Sequence, residues 1–199
     1  MQLSGKDLLL ALSSMEVKEY IKAYPNAISH TLADEVIQHY HTNGEWNQSS
    51  FSTNEGISPR SKERVDMKEY WINKEDKFYN ELKKGFRGMV DDYIKTYTKI
   101  MPMNFTPFRM NHYSEGGFMQ NHIDNIHHSH GQQYGYPHIT ALMFLQTADE
   151  GGEIVFCDGD YIPEQTKASG VVFPSNFIFS HEVKKVIKGN RYSLMTWIL

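Results

Sequence analysis

The sequence predicts a mainly β fold with N-terminal helices, an α+β arrangement in which a helical layer supports an antiparallel barrel or jelly roll. Three observations lead there. The first hundred residues carry apolar positions at helical spacing. After Pro102 the texture changes to short runs, alternating or rich in β-branched and aromatic residues, separated by Gly, Pro, Asn and Asp clusters. These runs follow one another too closely for helices to fit between them, which favours an antiparallel barrel over an α/β fold. With 199 residues, 40% of them hydrophobic, the chain can bury one sizeable core. A single domain over 1–199 is expected, with 1–100 as helical support and 101–199 as the β core.

Each element has its own warrant. Between Asp7 and Tyr20, Leu8, Leu12, Met15 and Val17 follow one helical face, and Pro25-Asn26 breaks the chain. Thr31 with Asp34 reads as a capping box for a helix over Ala33–Tyr40, with Val36, Ile37 and Tyr40 on one side. Residues 43–66 are polar and read as loop. Asn73 is the expected cap of a long helix reaching about Ile100, because Phe78, Leu82, Phe86, Met89 or Val90, Tyr93 and Tyr97 recur every three or four residues. Strands are expected at Phe108–Tyr113, Phe118–His122, His138–Gln146, Glu153–Phe156, Gly170–Phe173, Phe177–His181 and Tyr192–Leu199.

Composition excludes several classes. One cysteine, Cys157, can form neither an internal disulfide nor a Cys-rich metal site, and suits a reducing compartment. Twenty basic against 24 acidic side chains give a net charge of −4. Neither half has the basic excess that phosphate backbones select, so nucleic acid is a poor default partner. No apolar run approaches the ~20 residues of a membrane span. The run Leu8–Leu12 is too short for a signal-peptide core. The expected localisation is therefore cytoplasmic, without a membrane partner.

The ten histidines are the unusual feature, five of them between His122 and His138. His122-Ile123-Asp124 closes a predicted strand, where residues i and i+2 project to the same face. His181 is the best candidate for a third ligand. Two histidines and a carboxylate on a barrel match the facial triad of non-haem Fe(II) sites, which leaves coordination positions open for a reaction. Arg191 follows ten residues later on the last predicted strand. Its planar, permanently charged fork suits a dicarboxylate whose other end binds the metal.

The order Tyr113, His122-x-Asp124, Gly151-Gly152-Glu153, His181, Arg191-x-Ser193 and Trp197 resembles the Fe(II)/2-oxoglutarate oxygenases of the prolyl 4-hydroxylase type, over about Phe105–Leu199. The resemblance implies a double-stranded β-helix (jelly-roll) core and Fe(II) held by His122, Asp124 and His181. It implies that 2-oxoglutarate chelates the iron and that Arg191 binds its far carboxylate, assisted by Ser193. Tyr113 would reach the cosubstrate with its hydroxyl, and Trp197 would line the same pocket. O2 is the second cosubstrate, and ascorbate is a family expectation. Two positions depart from the pattern: Ile154 stands where many members have Thr, and Phe144 where relatives often have Tyr.

The expected reaction is hydroxylation of an unactivated C–H bond with release of succinate and CO2. A peptidyl proline, in a peptide or protein substrate, is the first candidate. Two alternatives stay open: a hydroxylase of a free amino acid or small metabolite, and a cupin-like module that binds metal without turnover. Arg191 speaks against the second, since a passive metal site needs no anion clamp. The stretch 126–138, with His127, His128, His130 and His138, reads as a solvated loop rather than a second metal site, and its length and place suggest a lid. Oligomeric state has no signature in the sequence.

Overall fold

A computed structural model describes residues 16–49, 51–53, 56–58, 64–101, 104–125 and 136–199. The chain begins with a 3-10 turn, Val17–Tyr20. Strand β1 (Lys22–Tyr24), helix α1 (His30–Asn43) and β2 (Asn47–Gln48) follow. Next come a hairpin of β3 (Phe51–Thr53) and β4 (Gly56–Ser58), then β5 (Val65–Asp66) and β6 (Lys68–Ile72). Helix α2 (Tyr79–Thr96) leads into β7 (Phe108–Tyr113), β8 (Phe118–His122) and β9 (Ile139–Gln146). The rest is β10 (Glu150–Gly151), β11 (Ile154–Phe156), β12 (Gly170–Pro174), β13 (His181–Val183), β14 (Val186–Lys188) and β15 (Arg191–Ile198).

The strands form two main antiparallel sheets. The large one has the order β1-β12-β9-β15-β7-β6-β2, and the small one β11-β13-β8-β5. Strand periodicity divides the large sheet into two faces. Ile139, Ala141, Met143 and Leu145 of β9, with Leu194 and Ile198 of β15, turn toward the helices. There they meet Val36 and Tyr40 of α1 and Leu82, Phe86, Met89 and Tyr93 of α2. The alternate residues Leu142, Phe144, Met195 and Trp197 face inward and join Phe156, Phe173 and Phe179 in a second apolar cluster. Polar and charged residues interrupt that inner face, and the cavity lies among them. The mostly β layout with two α-helices is the expected class, and the solved structures compared below have the double-stranded β-helix fold.

Several expectations are corrected. The helix expected to start at Ala33 begins at His30, because the Ser29 hydroxyl, not Thr31, accepts the Leu32 N–H at 3.1 Å. In place of an Asn73 cap, the Asp76 carboxylate accepts the Asn73 N–H at 2.6 Å and makes a turn, which delays α2 to Tyr79. The presumed loop 43–66 contains short strands β2 to β5. Strand β6 was hidden by having large side chains on both faces: Tyr70 and Ile72 pack under the helices, while Glu69 and Trp71 turn inward. The run Phe177–His181 is not one strand. Asn176 Oδ1 accepts the Ile178 N–H at 3.1 Å, Phe177–Phe179 curl into a 3-10 turn, and β13 starts at His181. The expected helix over Asp7–Tyr20 falls largely outside the described residues, and its last part, Val17–Tyr20, is 3-10.

Candidate active site

Strands β8 and β13 are paired in register, with His181 opposite His122. Asp124 lies two residues beyond the end of β8. One ligand atom each of His122, Asp124 and His181 lies within 4.8 Å of the others. The two imidazoles are held alike. Nδ1 of His122 donates to the Gln120 carbonyl at 2.9 Å, and Nδ1 of His181 to the Phe179 carbonyl at 3.1 Å. A carbonyl can only accept, so each Nδ1 carries a proton and each Nε2 is the nitrogen turned toward the cluster. Both Nε2 atoms lie 3.7 Å from the Asp124 carboxylate. The Thr140 hydroxyl of β9 donates to Asp124 Oδ2 at 2.7 Å and fixes the carboxylate.

Electrostatics keep this set in metal-binding form. Burial, aided by the neighbouring His181, pushes the His122 imidazolium pKa down to about 4, so that ring stays neutral at neutral pH. Burial alone would raise the Asp124 pKa, but the two imidazoles and the Thr140 hydrogen bond outweigh it and hold the carboxyl below its ordinary range. Two imidazole nitrogens and one carboxylate with open space beside them are the donor set of a divalent first-row metal such as Fe(II), so these residues fit that ion.

The same cavity is lined by Tyr113, Arg191 and Ser193 as well as the triad. Arg191 pairs in register with Tyr113 on β7. It is 2% exposed and donates through Nη1 to the Ser193 hydroxyl at 3.0 Å. Its guanidinium lies 5.0 Å from the Tyr113 ring centroid and 5.7 Å from that of Phe144. Burial lowers the Arg191 pKa and raises that of Tyr113, so the phenol stays protonated and available as a donor. The Gly151-Gly152 pair has a steric reason. Gly152 sits at φ +77°, and a Cβ there would come within 3.0 Å of Val186 Cγ2 and 3.4 Å of Arg191 Cδ.

Trp197 is placed differently from its expectation. Among the described residues it is not part of the cavity lining. It packs instead against the Arg109 guanidinium, 5.3 Å from the ring centroid. Sequence reading missed Arg109, Asn111 and Thr140, which line the cavity from β7 and β9. Their one signal was polarity at alternate positions of strands otherwise apolar, Arg109-x-Asn111-x-Tyr113 above all. The suggested lid falls mostly on 126–135, outside the described residues.

A family model described as the 2OG-Fe(II) oxygenase superfamily matches residues 108–199, the stretch that holds the whole cluster. Over this stretch, just under half of the chain, the sequence is similar to the 2OG-Fe(II) oxygenase superfamily. Curated proteins similar to this chain include a PKHD-type hydroxylase of Stenotrophomonas maltophilia (strain R551-3). It is 29% identical over 108 residues, which cover 51% of this chain and 47% of the relative. A PKHD-type hydroxylase of Parvibaculum lavamentivorans is 32% identical over 120 residues, 56% of this chain and 50% of the relative. The chain spans about half the length of the curated relatives it matches.

Solved structures share this chain's fold. A prolyl hydroxylase from Trichoplax adhaerens, in complex with a hypoxia inducible factor oxygen degradation domain peptide fragment, has TM-score 0.69 and 19% identity. It covers 100% of this chain and 94% of its own. A Pseudomonas putida prolyl-4-hydroxylase has TM-score 0.68 and 16% identity, covering 90% of this chain and 91% of its own. Among the described residues, no helix is long and apolar enough to cross a membrane.

Proposed function

We propose that the chain is an Fe(II)- and 2-oxoglutarate-dependent dioxygenase that hydroxylates an unactivated C–H bond of an amino-acid substrate. The observation that carries this reading is the meeting of His122, Asp124 and His181 with the buried Arg191 in one cavity. The overall change would balance as follows. O2 accepts two electrons from the C–H bond and two from 2-oxoglutarate. One oxygen atom ends in the new hydroxyl and the other in succinate, and the 2-oxoglutarate carboxyl group leaves as CO2.

Bound Fe(II) would supply the redox chemistry, which no side chain here can. The chain's own residues bind and orient. His122, Asp124 and His181 would hold the ion on one side and leave the other open. Arg191 would take the distal carboxylate of 2-oxoglutarate through its planar fork, with Ser193 fixing the guanidinium. Tyr113 would donate a hydrogen bond to the cosubstrate. The apolar walls formed by Leu142, Ile154 and Met195 would limit water around the reacting groups. Ascorbate would enter as a reductant in the assay.

The solved neighbours are named prolyl hydroxylases, which makes a prolyl ring the first carbon framework to test. Peptidyl and free forms differ at the nitrogen and the carbonyl, and both belong in the first screen. The deciding experiment measures succinate from 2-oxoglutarate with Fe(II) and ascorbate, with and without prolyl peptides and free amino acids. His122→Ala and Asp124→Ala should abolish iron-dependent succinate formation. Turnover retained in either variant would refute the assigned triad. Metal binding without any succinate would favour the cupin-like reading.

A further inference from the structure

Beyond the triad and Arg191, the cavity wall holds a second buried charge with no assigned task. Arg109 of β7 is 5% exposed, yet its donors are poorly used. Nη2 points at the Met195 sulfur at 2.7 Å, a weak acceptor; Nε has no partner among the described residues; and Nη1 lies 3.7 Å from Glu69 Oε2, beyond hydrogen-bond range. Glu69, on the neighbouring strand β6, is 7% exposed, and its Oε2 accepts no hydrogen bond. Asn111 pairs in register with Glu69, lines the cavity, and leaves its buried Oδ1 without a donor. Arg109 and Asn111 in the wall, with Glu69 packed behind them, thus leave guanidinium donors short of acceptors and, beside them, two oxygens short of donors. Buried groups so left are costly unless a ligand completes them.

We propose that Arg109, Glu69 and Asn111 bind the zwitterionic head of a free amino acid, its carboxylate on Arg109 and its ammonium on Glu69 and Asn111. This rests on the dioxygenase reading above and names its substrate class. The Arg109–Glu69 pair has no net charge, so its complement is a bipolar group of no net charge rather than a plain anion. A carboxylate alone would meet the Glu69 charge 3.7 Å from the guanidinium nitrogen. The rings of Trp71 and Trp197, at 5.9 and 5.3 Å, hold the guanidinium without using its N–H donors. Arg109 is also distinct from the cosubstrate's cation. It pairs with Met195, four residues along β15 from Arg191, on the order of 13 Å of strand. The two guanidinium groups therefore serve separate ligands in one cavity.

The test uses the Fe(II)-loaded protein with 2-oxoglutarate and reads succinate. The additives are the free proteinogenic L-amino acids, proline included, each beside its carboxamide and its N-acetyl derivative, together with prolyl peptides. Expected is stimulation by at least one free amino acid, with both blocked forms at least tenfold poorer in kcat/KM. Calorimetry of the same compounds on the Mn(II)- and 2-oxoglutarate-loaded protein should give the same order, without turnover. Arg109→Gln should erase the preference over the carboxamide and Glu69→Gln the preference over the N-acetyl form. A ratio between two compounds on one protein does not move through general damage. Stimulation by prolyl peptides or blocked forms but by no free amino acid overturns the proposal and leaves the dioxygenase reading standing. Succinate formed equally with and without every compound overturns it in the same way. No succinate under any condition overturns both.

Discussion

At the residue scale, the site depends on buried groups held by one or two short contacts each. Arg191 is nearly inaccessible and hydrogen-bonded to Ser193, so Arg191→Ala would remove the charge-assisted partner proposed for 2-oxoglutarate and a group that Ser193 supports. Hydrogen bonds to charged groups contribute about 1.5–3 kcal/mol. The dissociation constant of 2-oxoglutarate should therefore rise about ten- to a hundredfold, measured by calorimetry on the Mn(II)-loaded protein; an unchanged constant would remove Arg191 from the pocket. Thr140 tests the layer behind the ligands. Thr140→Val keeps the shape and removes the hydrogen bond to Asp124. Metal affinity should fall about 10–100-fold, as losses of such supporting groups do, and a metal titration of both proteins checks it. His122, Asp124, His181 and Arg191 were legible because order and spacing along the chain carry them. Thr140, Arg109 and Glu69 were not, because their meaning comes from partners distant in sequence: Thr140 meets Asp124, 16 residues away, and Arg109 meets Glu69 on the neighbouring strand β6.

At the element scale, α2 shows what periodicity reveals and what it hides. Phe78, Leu82, Phe86, Met89, Val90 and Tyr93 are all buried, as their spacing requires. The start of the helix was misplaced because Asn73 is held in a turn by the Asp76 carboxylate instead of capping, and α2 starts after Phe78 without a side-chain cap. The paired strands β7, β8, β9 and β15 were read almost residue for residue, since alternation suits a sheet with one apolar face on helices. The two short strands β10 and β14 escaped because two or three residues carry no period. Helix α2 also contains two glycines that sequence alone cannot tell apart. A Cβ on Gly88 meets nothing within 4 Å, whereas one on Gly85 would sit 2.7 Å from Ile28 Cγ2 and 2.9 Å from Met143 Cε. Gly88→Ala should stabilise the protein by up to about 1 kcal/mol, the helix-propensity difference. Gly85→Ala should destabilise it, because the approach of α2 to β9 must open. Urea midpoints at equal slope separate the two outcomes.

At the scale of the whole molecule, the site joins the two sheets. His122 and His181 stand on the small sheet, Thr140, Arg109 and Arg191 on the large one, and Asp124 reaches both through its carboxylate. An ion bound by the triad would therefore tie one sheet to the other in the folded state, with no matching site in the unfolded chain. Mass action then adds about 2.7 kcal/mol at a hundredfold excess over the dissociation constant. For a chain of this size that corresponds to a rise in Tm of about 5–10 °C. Mn(II) or Zn(II) should produce this rise without catalysis, a chelator should reverse it, and His122→Ala should not show it. The sign of the pH effect on the metal-free protein follows from the same burial. Folded His122 resists protonation down to about 4, while the unfolded imidazole takes a proton near its ordinary 6.5. Between these values the unfolded state binds more protons, so the His122 contribution is present above about 6.5 and is lost as pH falls toward 4. The metal-free Tm should drop over that window, and the drop should be smaller in His122→Ala. An equal drop in both proteins would show that His122 is not held neutral by the fold.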